Sequence, residues 1–262
     1  MFNMLIADIC FAVNDESPAL KKRFEPFIRN DLKPDFEISV SKEDIEKEKK
    51  MFIKECSLGG IPCKDCCGEA KALCNRLGDD NFKFTAIYRK LGDILYKYDA
   101  LVFHAGVIGY KGAALAFTAK SGTGKTTHLK LWEKNIPESF ILCGDKPIIR
   151  LIDGEPIIYA TPWQGKEGYG TNSSLPLKAI YILKRNENNI CNEIASGTQL
   201  EKLLNQFNLP ENKAALLATF KIIGKVLEKV KMLEILCNTK NEAAIASLKK
   251  YEELINEAET RI

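Results

Sequence analysis

The chain has 262 residues, 45% of them hydrophobic and 28% charged, which suits one α/β domain or one with a small accessory domain. Its 38 basic and 35 acidic residues leave a formal charge of +3, too balanced to draw the chain to nucleic acid or to an anionic membrane. No apolar run approaches the roughly 20 residues that a membrane-spanning helix needs. The nine cysteines, with no secretory signal, read as reduced thiols in a cytoplasmic protein.

Residues 4–13 read as a first strand: the stretch is apolar, has no basic residues ahead of it and holds Asp8, so it is not a signal peptide. Ser17 and Pro18 open a short helix through Phe27. Pro34 precedes a second strand, Asp35 to Val40, in which Phe36, Ile38 and Val40 alternate on one face. Ser41, three before Asp44, caps a helix rich in Glu and Lys. Residues 56–80 are the least regular part and hold Cys56, Cys63, Cys66, Cys67 and Cys74. Cys63 and Cys66 have a metal-chelating spacing, but no second such pair or nearby His completes a zinc site. Partly buried thiols are the preferred reading. Phe84, Ile87, Leu91, Ile94, Leu95 and Tyr98 then recur at helical spacing. Together these elements predict a small α+β N-terminal domain over residues 1–98.

From residue 99 the texture changes. Apolar strand candidates follow at 101–107, 113–118, 139–143, 147–152, 156–160 and 178–184, with turns at Tyr110-Lys111-Gly112 and Asp153-Gly154-Glu155. A helical tail is predicted at 199–207, 212–228 and 241–257, interrupted by a short strand at 231–236; Pro210 separates its first two helices. Trp132 and Trp163 read as packing residues. The second domain, 99–262, is therefore a β-rich core with a helical C-terminal tail, and the fold class is α/β (α+β).

The most informative stretch is Ala119-Lys120-Ser121-Gly122-Thr123-Gly124-Lys125-Thr126-Thr127. It fits G-x-x-x-x-G-K-[ST], with Ala in place of the first Gly. Gly122 and Gly124 let the backbone point successive N–H groups at phosphate oxygens. Lys125 brings a positive charge to the β- and γ-phosphates, and the Thr126 hydroxyl is suited to Mg²⁺. The helix from Lys125 aims its positive end at the same phosphates. A strand before the loop and a helix after it are the context this motif requires, and residues 113–118 and 125–133 supply both.

Residues 121–127 resemble the phosphate loop of ATP-dependent phosphoenolpyruvate carboxykinase. The wider frame, roughly 100–185, resembles the catalytic domain of HPr kinase/phosphorylase and its bacterial kinase-like relatives. Those domains carry a His fifteen residues before the loop, as His104 stands before Ala119. They also carry a strand ending in Asp-Asp after it, where this chain has Ser139 to Cys143 and then Gly144-Asp145. The resemblance implies that Asp145 holds Mg²⁺ and helps deprotonate an acceptor hydroxyl, work that two carboxylates share in the family. Asp145-Lys146-Pro147 and Thr161-Pro162-Trp163-Gln164-Gly165-Lys166 are also similar to a pattern in the kinase-like relatives.

Each candidate has a plainer reading beside it. Asp145 closes an apolar strand, as a metal-side carboxylate does, or opens a surface turn before Pro147. His104 is a core histidine, or it orients Asp145 and shuttles a proton. Lys166 lies in a long polar loop, 161–176, where it is a solvated lysine or neutralises the transferring phosphoryl group. The expected function is an ATP- and Mg²⁺-dependent kinase acting on a hydroxyl of a small protein, peptide or small molecule. Asp145, His104 and Lys166 are its catalytic residues, 119–127 its nucleotide site, and Thr126 and Asp145 its metal ligands. No nucleic acid or membrane partner is expected, and the oligomeric state is open. The alternatives are a nucleotide-binding regulator without turnover, which Gly144 motivates, and a phosphoenolpyruvate carboxykinase, for which the chain is short. The kinase reading requires His104 and Asp145 to lie within reach of each other beside the loop.

Overall fold

The computed structural model describes residues 1–59, 66–120, 122–165, 168 and 170–259. The chain forms two compact units, Met1–Ile94 and Leu95–Ile262.

In the first unit, β1 (Phe2–Ile6) and β2 (Ile9–Asn14) form an antiparallel hairpin. The single strand expected over 4–13 is thus two strands. Ala7 and Asp8 form the turn, with φ of 54° and 56°, the handedness that matches strand twist in a two-residue turn. Neither residue is the Gly or Asn that usually announces such a turn, so the sequence hid it. Helix α1 (Pro18–Phe24) begins with Pro at its start and with Ser17 Oγ accepting from the Leu20 amide. Strand β3 (Phe36–Ser39) then returns parallel to β2.

Helix α2 (Lys42–Gly59) starts with the reciprocal cap expected at Ser41 and Asp44: each side chain accepts from the other's backbone amide. Helices α3 (Cys66–Leu77) and α4 (Asp79–Gly92) follow. The stretch read as irregular is therefore helical over much of its length; Ile45, Cys74 and Phe82 form a small core there. Helix α4 buries Phe84, Ile87 and Leu91, as its spacing predicted, but ends at Gly92.

The second unit opens with a 3-10 turn, Leu95–Tyr98, and then β4 (Ala100–Val102), β5 (Gly106–Tyr110) and β6 (Ala113–Thr118). Helix α5 (Lys125–Asn135) is followed by β7 (Ser139–Cys143), β8 (Ile148–Ile152), β9 (Glu155–Tyr159), β10 (Ser174–Arg185) and β11 (Ile190–Glu193). The chain ends with α6 (Gln199–Leu203), α7 (Lys213–Lys229), β12 (Lys231–Cys237) and α8 (Glu242–Glu259). Turns at Lys111-Gly112 and Asp153-Gly154 take positive φ at both residues, as the sequence predicted for tight hairpins.

The main sheet runs β7-β5-β6-β10-β12-β11, with β10 parallel to both β6 and β12. A second branch, β4-β8-β9, is antiparallel throughout and joins through the first residues of β10. The strand expected over 101–107 is therefore divided between the branches: β4 pairs with β8, β5 with β6 and β7, and His104 lies in the break between them. Alternation along the strands sends side chains to two cores. Ala114 and Ala116 face Ile222, Ile223 and Val226 of α7; Leu115 and Phe117 face Leu129 and Trp132 of α5 and Tyr251 of α8. The main sheet thus lies between two helical layers, an α/β arrangement.

Candidate functional site

The parallel strands β6, β10 and β12 all end at one edge of the sheet, and the loop 119–124 leaves β6 at that edge. Gly122 and Gly124 have φ of 76° and 120°, conformations that side chains resist. Ala119, standing for the motif's first glycine, is buried and is not among the positive-φ residues. The substitution therefore needs no strained backbone. Helix α5 begins at Lys125 with no side chain capping its N-terminus, so its first amides await an acceptor. Lys120 and Thr127 are exposed and Thr126 is half-buried next to Lys125. Ser121 lies outside the described residues.

Antiparallel pairing brings the start of β5 and the end of β7 to this same edge. Asp145, two residues past β7, receives Lys125 Nζ at 2.5 Å and His104 Nε2 at 3.1 Å, both on Oδ1. Burial alone would raise the Asp145 carboxyl; the hydrogen bond from His104 and the charge of Lys125 overcome it and hold the group well below the ordinary carboxylate range. Asp145 is thus an anion in any mildly acidic or neutral solution.

Backbone and side-chain contacts fix His104 from three sides. Its amide donates to the Gln206 carbonyl at 2.7 Å, and the next amide, of Ala105, donates to the Asp145 carbonyl at 2.8 Å. The Thr118 hydroxyl, on the last residue of β6, lies 2.7 Å from the His104 carbonyl, to which it donates, and 2.8 Å from the side-chain amide of Gln206. Stacking of Phe103 on Phe207 secures the same crossing. The loop after β9 also reaches Asp145: the Lys146 amide donates to the Trp163 carbonyl, the Thr161 hydroxyl donates to the Lys146 carbonyl, and a Cβ on Gly165 would stand 3.3 Å from Asp145 Cβ. Trp163 is buried, a packing residue as expected. Lys166 lies outside the described residues.

Three residues join the site that sequence reading did not single out. Arg185, last in β10, donates through Nε to the Thr123 carbonyl at 3.0 Å and through Nη2 to the Gly122 carbonyl, clasping the loop from outside. Thr118 and Gln206 hold His104. None carries a motif signal, because each acts through backbone carbonyls or a partner distant in sequence. The position of Thr118 directly before the loop was the only cue.

The donor set fits a nucleoside triphosphate with a hard divalent cation. Unbonded helix amides and a lysine suit phosphate oxygens, and a hydroxyl and an anionic carboxylate suit Mg²⁺. Both described ion pairs of Asp145 use Oδ1. Among the described residues no group of three or more His, Cys, Asp or Glu is placed to hold a metal by itself. Cys63 and the side chains of Cys66 and Cys67 lie outside the described residues. Trp132 is buried against Tyr110 and Phe117 and donates to Ser247 Oγ.

No protein-family model and no curated protein sequence matches the chain. Among solved structures it is similar to the Hpr(Ser) kinase/phosphatase from Coxiella burnetii, at 10% identity and a TM-score of 0.37, over 61% of this chain and 94% of that one. A likeness of this extent assigns no activity. Among the described residues no helix is long and apolar enough to cross a membrane.

Proposed function

We propose that the chain is an ATP-dependent phosphotransferase of the kinase type, which moves the γ-phosphoryl group of ATP to a hydroxyl. The observation that carries this is a single carboxylate, Asp145, contacting both the lysine of the phosphate loop and a histidine. The loop amides and Lys125 bind the triphosphate and take up charge that develops on it. Thr126 and Asp145 would hold Mg²⁺, which neutralises the phosphate oxygens when bound.

Asp145 stays anionic because its neighbours favour the charged form, so its part is to orient and to supply charge. With Nε2 of a neutral His104 carrying its proton toward Asp145 Oδ1, 3.1 Å away, Nδ1 would be left as the acceptor. The acceptor hydroxyl attacks the γ-phosphorus, the bond to the β,γ-bridging oxygen breaks, ADP departs, and the hydroxyl proton passes to His104 Nδ1. A seryl side chain and a small-molecule hydroxyl both meet these requirements.

Transfer of label from γ-labelled ATP in a cell extract tests the proposal, followed by identification of the labelled species. Asp145→Ala and His104→Gln should abolish labelling with a smaller loss of ATP binding than Lys125→Ala, which should weaken binding itself. A second reading, a nucleotide-binding regulator, draws on Gly144, which offers no second carboxylate beside Asp145. It prevails if the wild-type chain binds ATP and labels no acceptor.

A further inference from the structure

A cleft of about 630 Å³ opens between the phosphate loop, the ends of β10 and β12, and the stretch that holds Lys202 and Gln206. Its size falls in the range of small-molecule sites, ~300–1,000 Å³. Strand register sets its floor: Thr118, Ile182 and Glu234 stand side by side across β6, β10 and β12. Ile182 packs on the core that holds α7, whereas Leu233 and Ile235, the chain neighbours of Glu234, face the core that holds α5. The cleft therefore lies on the α7 face of the sheet, and none of its described lining residues belongs to α5. The helix whose first amides the triphosphate would use packs on the other face.

Charge gives the cleft a preference. Lys120, Lys184, Arg185 and Lys202 line it, and Glu234 is the one acid among its described lining residues. Glu234 Oε1 receives Lys184 Nζ at 2.8 Å and Lys202 Nζ at 3.0 Å, so one carboxylate answers two ammonium groups. Arg185 donates to loop carbonyls, which carry no net charge. A cleft with such a surplus of one sign draws in the opposite one, and these cations suit carboxylate or phosphate oxygens. The cleft also borders the residues that hold His104. Thr118 and Gln206 line it; the Thr118 hydroxyl donates to the His104 carbonyl, and the Gln206 carbonyl accepts from the His104 amide. Adjacent strands lie ~4.8 Å apart, so Glu234 and its two lysines stand roughly 10 Å across the sheet from Thr118.

We propose that this cleft seats the phosphoryl acceptor, and that Lys120, Lys184 and Lys202 hold a carboxylate or phosphate group which the acceptor carries on the order of 10 Å from its reacting hydroxyl. The proposal rests on the kinase reading and adds a substrate class to it: an acceptor that bears an anionic group before transfer. A neutral polyol has nothing to offer these lysines.

The test is calorimetric titration of the full chain, with the phosphate loop kept saturated by Mg²⁺ and a non-hydrolysable ATP analogue. The probes are glycerol 3-phosphate and glycerol, which differ by one phosphate group. Glycerol 3-phosphate should bind in the millimolar range or tighter, and glycerol should not bind. Lys202→Gln should weaken glycerol 3-phosphate about three- to ten-fold, and Glu234→Gln, which frees two ammonium groups, should tighten it by a similar factor. Neither residue lies in the loop, so affinity for the ATP analogue should stay unchanged in both. Opposite signs at two partners of one ion pair are not what a merely structural role produces. With the acceptor identified from labelled extract, glycerol 3-phosphate should raise its KM and leave kcat alone, and Lys202→Gln should do the same. No binding of glycerol 3-phosphate, equal binding of glycerol, or binding that disappears once the loop is filled would overturn the anion site. Binding without competition against the acceptor would overturn the role assigned to it. A wild-type chain that labels nothing overturns the kinase reading and the acceptor role together, and the calorimetry then decides the anion site by itself.

Discussion

Lys125 Nζ stands 2.5 Å from Asp145 Oδ1, so the cation that the loop offers to phosphate is already engaged by a carboxylate. On the proposed function, nucleotide takes Lys125 from Asp145, and without a metal the two anions compete for it. Asp145→Asn should bind ATP more tightly than wild type in the presence of EDTA, by roughly five- to ten-fold, since removing a like charge at such range is worth about 1 kcal/mol or more. Adding Mg²⁺ should reverse the order, because the variant loses a metal ligand. Calorimetric titrations with and without Mg²⁺ check both signs.

Thr118→Val keeps shape and removes the hydroxyl that bridges the His104 carbonyl and Gln206. Loss of those bonds should cost about 1–2 kcal/mol of stability. The histidine would also be less firmly placed, so kcat for phosphotransfer should fall about ten-fold with KM for ATP nearly unchanged. Equal losses in kcat and KM would mean that the hydroxyl supports the loop rather than the histidine.

Arg185 spans two loop carbonyls with two nitrogens of one planar group. A lysine offers a single point of contact and cannot reproduce the fork. Arg185→Lys and Arg185→Ala should therefore behave alike: amide exchange should quicken at Gly122 to Gly124, and ATP affinity should drop about three- to ten-fold. Full rescue by lysine would reduce the role of Arg185 to its charge.

Burial lowers the His128 pKa from 6.5 to about 3. The unfolded chain therefore takes up a proton below pH 6.5 that the folded chain refuses. Stability from this residue is complete above pH 6.5 and is lost as pH falls toward 3, at up to about 1.4 kcal/mol per unit. His128→Phe should flatten the stability profile between pH 6 and pH 4, as read from urea unfolding at each pH. An unchanged slope would mean that the folded chain can protonate His128.

The loop was legible because its chemistry is local. Backbone amides, two glycines, a lysine and a threonine must stand next to one another to cradle phosphate, and strand and helix flank them as expected. His104 and Asp145 were legible through spacing to that loop, although His104 sits in a gap between strands and not within one. The rest was hidden by distance or by turn chemistry. Arg185 and Gln206 follow the loop by more than sixty residues and meet it only through the fold. The Ala7-Asp8 turn has only Asp8 among the usual turn residues and no Gly or Asn, inside an otherwise apolar run. His128 resembled any apolar-face residue of α5; its contact with Ser247 of α8 is made only by the fold.

Strand β12 completes the parallel set that begins with β6, yet the two are separated by the whole stretch from 119 to 230. Strand β10, between them, lacks one neighbour until residues 231–237 have been made. During synthesis the phosphate loop and its lysine therefore leave the ribosome long before the sheet edge that supports them can close. Pairings so distant in sequence form late and slowly, and the exposed edge of β10 is open to wrong partners meanwhile. A chain stopped before Lys231 should carry the full nucleotide motif and still fail to bind, which makes the last strand a checkpoint on the competence of the first.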